Sequence, residues 1–70
     1  MYWFDILDLL EDNKNIWFSP KELAVLYEKR FGRKPTYKNF VKALFKLSKS
    51  GKIEKKEIHY RRIYYRLKGG

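Results

Sequence analysis

The sequence predicts an α+β domain: three helices and a C-terminal β-hairpin, with an apolar segment before the second helix that is either a short strand or a packed loop. Three observations predict it. Apolar residues recur at helical spacing in three stretches before Gly51. Ser19-Pro20-Lys21-Glu22 has the composition of a helix start. After Gly51 the period falls to two, with Ile63, Tyr65 and Leu67 alternating with Arg62, Tyr64, Arg66 and Lys68.

The first helix follows from Trp3, Ile6, Leu7 and Leu10, with Phe4 and Leu9 flanking that stripe. Asp5 and Asp8 lie near its N-terminus, where the helix dipole favours acids. The run DNKN at 12–15 ends it. The segment at 16–18, IWF, is the one that fits a minimal edge strand or a packed loop. Ser19 is the natural N-cap of the second helix, Pro20 occupies N1, and Glu22 completes a capping box. Leu23, Leu26 and Tyr27, with Ala24 and Phe31, form its inward stripe. Lys29 and Arg30 suit its negative end, and Gly32 suits a C′ residue.

GRKP at 32–35 is a turn, since Pro35 disfavours helical backbone at Lys34. Thr36 then caps a third helix over 37–50. Tyr37, Phe40, Val41, Leu44, Leu47 and Ser48 line one side, with Phe45 at the edge of the apolar arc. Asn39, Lys42, Lys46 and Lys49 project opposite. Gly51 stops the helix and Ile53 opens the hairpin. The hairpin loop falls within 57–62, without an Asn-Gly or Asp-Gly signature to define its geometry. The expected core is Trp3, Ile6, Leu7, Leu10, Leu23, Tyr27, Phe40, Leu44, Leu47, Ile53, Ile63, Tyr65 and Leu67.

Seventy residues suffice for one domain over 1–70 with one small core, and leave no room for a substrate domain or a deep cofactor cleft. Apolar residues at 44% and aromatics at 19% are enough to drive folding. Cysteine is absent, so a disulfide framework and a Cys-based zinc site are excluded, and one histidine cannot make a histidine-rich metal site. No cofactor or metal is expected. The opening MYWFDILDLLED has no basic region and is not a signal peptide. No apolar run approaches the roughly 20 residues that span a bilayer. A cytoplasmic or nucleoid-associated protein with no membrane partner is expected.

Catalysis has almost no support. The carboxylates Asp5, Asp8, Glu11 and Asp12 share faces of the first helix, where capping and solubility explain them. There is no phosphate-cradling glycine loop, no H-E-x-x-H and no nucleophile motif. Neither an enzyme nor a small-molecule substrate is expected. The ending RLKGG looks like that of ubiquitin-like modifiers, but the helix-rich order does not resemble their fold.

The charge is uneven. The chain carries +9, yet residues 1–12 hold four acids and no Lys or Arg, which leaves +13 on the rest. Such asymmetry suits a molecule with one side turned to a polyanion.

The stretches SPKELAVLYEKRFG, TYKNFVKALFKLSKSGKI and IYYRLK resemble the winged helix-turn-helix superfamily. Leu44, Leu47, Gly51 and Ile53 resemble the end of a recognition helix and the start of a wing. The likeness covers nearly the whole chain and is specific to a fold. It implies that 36–50 is the recognition helix, that 52–67 is the wing hairpin, and that the first helix packs behind them. The turn between the second and third helices is longer than in a simple helix-turn-helix.

The function expected from this resemblance and from the charge is double-stranded DNA binding, as in a small transcriptional regulator. Helix 3 enters the major groove, and a basic wing grips the backbone or the minor groove. Lys42 and Lys46 reach phosphates or guanine edges, Lys49 continues their face, and Asn39 suits adenine. Lys34, Thr36 and Lys38 surround the N-terminus of the third helix, where backbone N–H groups can hold a phosphate. The hairpin adds Lys55, Lys56, His59, Arg61 and Arg62. Tyr60 and Tyr64 are the tyrosines placed to stack on unpaired bases, Tyr64 being on the basic face. Single-stranded DNA or RNA binding is therefore an alternative, as is a protein-interaction module. A homodimer through the first helix is expected, with Tyr2, Phe4 and Leu9 as its apolar patch.

Overall fold

The computed structural model describes residues 2–59 and 62–67. Three helices, α1 (Trp3–Asp12), α2 (Pro20–Phe31) and α3 (Tyr37–Lys49), precede two strands, β1 (Ile53–Ile58) and β2 (Arg62–Leu67). The strands form one antiparallel hairpin that pairs Ile53 with Leu67 and Ile58 with Arg62. This is the helix-and-hairpin order expected from the sequence. Tyr60, Arg61 and the residues from Lys68 to the end, including the Gly-Gly pair, lie outside the described residues.

The segment before α2 is a single β-bridge. Phe18 N–H donates to Tyr65 O at 2.9 Å, and Tyr65 N–H donates to Phe18 O at 2.8 Å. One residue thus extends the sheet along the free edge of β2. The capping box of α2 forms as the sequence requires. Ser19 Oγ accepts from Glu22 N–H at 3.2 Å, and Ser19 N–H donates to Glu22 Oε1 at 2.9 Å. Gly32 ends α2 with φ 73°, a left-handed conformation that costs glycine nothing.

One core joins all five elements. It takes Ile6, Leu9 and Leu10 from α1, Leu23 and Tyr27 from α2, and Phe40, Ala43, Leu44 and Leu47 from α3. Ile53 and Tyr65 bring in the hairpin. Leu7, Ile63 and Leu67 are partly buried against it.

Two expected positions of α1 are corrected. Trp3, expected in the core, is 39% exposed, whereas Leu9, expected at the flank, is 3% exposed. The buried arc of α1 is rotated by about half a residue step from the predicted stripe. The reason is Tyr2. Its ring meets those of Tyr27 and Phe40 edge-on at centroid distances of 5.3 and 5.4 Å. Its hydroxyl accepts the Thr36 N–H at 2.9 Å. The aromatic junction is thereby filled by the residue before the helix, and Trp3 is turned outward. In α3 the arc likewise moves towards Ala43, and Tyr37, expected inside, is 48% exposed.

Candidate nucleic-acid interface

Helix α3 presents two parallel ridges to solvent, each built from residues four apart, the spacing that stacks side chains on one helix face. One ridge is Tyr37, Val41, Phe45 and Lys49. The other is Lys38, Lys42 and Lys46. Their surroundings differ. Tyr37 and Val41 line an open groove of about 440 Å³ with Lys21, Arg62, Ile63 and Tyr64. Asn39, Lys42 and Lys46 line a smaller cleft with Tyr2 and Trp3 of the α1 side. The first ridge therefore faces the hairpin, and the second borders α1.

Phe45 links α3 to the hairpin. It is 44% exposed, and two ammonium groups lie over its ring. Lys49 Nζ is 4.8 Å from the centroid and Lys55 Nζ is 5.4 Å away. Each such interaction contributes about 0.5–1 kcal/mol at an exposed site. Lys55 belongs to the face of β1 that also carries Ile53, so it points towards α3. Lys56 is on the opposite face, because strand side chains alternate.

That outer face has its own cluster. Lys56 Nζ and the Arg66 guanidinium lie 4.4 and 4.5 Å from the centroid of Trp17. Arg66 also donates through Nε and Nη2 to Glu54 Oε1, at 3.2 and 2.8 Å, so its charge is already matched.

The acids behave differently. Asp12 pairs with Arg30 of α2, and Asp5 accepts from the Tyr27 hydroxyl at 3.4 Å. Glu11 lies 3.4 Å from Lys14. Among the described residues no carboxylate pairs with Lys38, Lys42, Lys46, Lys49 or Lys55. The start of α3 also differs from that of α2. Thr36 occupies the N-cap position but its side chain makes no capping bond, contrary to expectation.

The sequence-predicted residues are thus divided. Asn39, Lys42 and Lys46 gather beside Trp3, and Lys49 and Lys55 meet over Phe45. Arg62 and Tyr64 are on the hairpin face opposite Lys55, and border the groove beside Tyr37 and Val41. Lys38 is exposed in the first turn of α3. Lys34 is turned away from both ridges, lining clefts with Tyr27 and Arg33 and with Ala24 and Glu28. His59 is exposed in the hairpin turn at φ 36°. Arg61 lies outside the described residues.

Reading by pattern missed Phe45, Tyr37 and Lys21 on this surface. The i, i+4 line through residues 37, 41 and 45 is visible in the sequence, but which edge of an apolar arc is buried depends on the neighbouring elements. Burial pushes the Tyr65 phenol above its ordinary pKa, and the nearby Tyr37 phenol adds to the rise. Among the described residues no three potential metal ligands cluster, and no helix is long and apolar enough to cross a membrane.

No family model matches the chain, and no curated protein or solved structure gives a match.

Proposed function

We propose that the protein binds double-stranded DNA as a winged helix-turn-helix domain, with α3 in the major groove and the hairpin as the wing. The observation that carries this reading is the exposed face of α3. It holds Lys38, Lys42, Lys46 and Lys49, has no acidic residue, and meets Lys55 of the hairpin across Phe45. Asp5, Glu11 and Asp12 of α1 are engaged with α2 or with their own turn, and none pairs with a lysine of α3. An α-helix fits the major groove, which is about 12 Å wide. Affinity is mainly electrostatic, because lysine meets phosphates as a point charge. Asn39 is the residue for an adenine edge. Regulation follows from occupancy of the site, and no catalytic step is assigned to the domain.

Titration with random-sequence duplex and single-stranded DNA at several salt concentrations tests this. Duplex binding that weakens linearly with log salt is expected. A combined Lys38→Ala, Lys42→Ala and Lys46→Ala variant should bind every duplex less tightly while staying folded. Unchanged affinity in that variant removes α3 as the reading element.

The groove beside Tyr37 and Tyr64 favours a second reading, single-strand binding with stacked bases. Tighter retention of single strands than of duplex selects it. The apolar patch expected to join two copies is reduced to Phe4, 80% exposed, with Trp3 beside it, since Tyr2 and Leu9 pack inward. Sedimentation at high concentration decides whether that patch suffices for a homodimer.

A further inference from the structure

We propose that Phe45 determines sequence preference by packing on the 5-methyl group of thymine in the major groove. This rests on the double-stranded DNA reading above. Thymine is the base that shows an apolar group in that groove, and its methyl is met by apolar side chains. The lysines of α3 serve phosphates or hydrogen-bonding edges and cannot read a methyl group.

Phe45 has the position for it. It lies in the middle of the hairpin-side ridge, with Val41 four residues before it and Lys49 four after. It is 44% exposed although it sits on a helix with a complete core stripe of Phe40, Ala43, Leu44 and Leu47. A single exposed apolar side chain is common on protein surfaces and needs no function by itself. Here a second observation gives it one. Lys49 and Lys55, from two different elements, are both drawn to its ring, at 4.8 and 5.4 Å. Neither has a carboxylate partner among the described residues. An apolar side chain is thus flanked by two cations that come from the helix and from the wing. Such an arrangement suits a base methyl, met by an apolar side chain, with phosphates met by lysines on either side. Phe45 positions these lysines as well as touching the base.

The test compares an alternating A·T duplex with the same duplex in which uracil replaces every thymine. The two have the same phosphate charge and the same hydrogen-bonding edges, and differ in the methyl groups. The wild-type protein should bind the thymine duplex more tightly, by roughly fourfold for each methyl buried. Phe45→Ala should lose that preference through weaker binding to the thymine duplex, and Phe45→Leu should keep part of it. Both variants should unfold near the wild-type temperature, since Phe45 is outside the core. Equal wild-type affinity for the two duplexes overturns the proposal. So does a Phe45→Ala variant that is folded and still prefers thymine, which would assign the methyl recognition to Val41 or to DNA shape. Failure to bind either duplex at low salt overturns the DNA reading itself, and the proposal with it.

Discussion

Helices α1 and α3 have the same construction and opposite electrostatics. Each buries one apolar side, three residues in α1 and four in α3, and shows the other to solvent. On α1 the charges are acidic and largely satisfied from within: Asp12 by Arg30, Asp5 by the Tyr27 hydroxyl, Glu11 by Lys14. On α3 they are lysines with no carboxylate partner among the described residues. A charge matched inside the fold contributes to its geometry. A set of like charges left unmatched on one face repels itself, and is relieved when a polyanion arrives.

The largest difference should come from the buried sides. Leu9→Ala in α1 and Leu44→Ala in α3 should each cost about 2–5 kcal/mol, as core truncations do. Trp3→Ala, despite removing a larger side chain, should cost only about 1–2 kcal/mol because much of the ring is already in water. Urea denaturation of the three variants checks the order. A Trp3 variant less stable than the Leu9 variant would mean that α1 is rotated back towards the stripe read from the sequence.

The exposed sides should separate in salt. Removing one lysine that neutralises a phosphate lowers the slope of log affinity against log salt by about 0.9. The combined Lys38, Lys42 and Lys46 variant should therefore flatten the slope by roughly two to three. Asp8→Asn with Glu11→Gln on α1 should leave it nearly unchanged. Equal effects from both variants would show that the charge of the whole molecule, and not the face of α3, governs binding.

A smaller effect is expected in alkali at the seam between α3 and the hairpin. Tyr65 has a raised pKa in the folded protein. Its unfolded phenol ionises first, near pH 10, so stability is full below that pH and falls as pH rises through the folded value. Tyr65→Phe should make the loss of stability above about pH 10 less steep. An unchanged steepness would mean that Tyr65 is as solvated as an ordinary tyrosine. The smallest effect should be that of Asp12→Asn, which removes an exposed ion pair with Arg30 and should cost about 1 kcal/mol or less. Thermal unfolding at low and high salt checks it, since the difference should shrink as salt screens the pair.

Much of this was legible in the chain. The capping box at Ser19 and Glu22, the left-handed Gly32 and the change of period after Gly51 each depend on residues close in sequence. Local chemistry decides such features, so they appear where the sequence places them. Leu44 and Leu47 were also legible, since they sit at the centre of an apolar arc and stay buried whichever way the helix is turned by a fraction of a residue. Residues at the rim of an arc have no such protection. Trp3, Leu9, Tyr37 and Phe45 are apolar residues whose burial depends on where the next element packs. Tyr2, which looked like part of an outer patch, filled the junction of three rings and turned Trp3 out. The lysines show the same division. That residues 42, 46 and 49 leave the core together follows from helical spacing alone. That Lys46 borders Trp3 while Lys49 joins Lys55 over one ring was decided only by packing, because that arrangement brings together side chains whose positions are set by two separate elements.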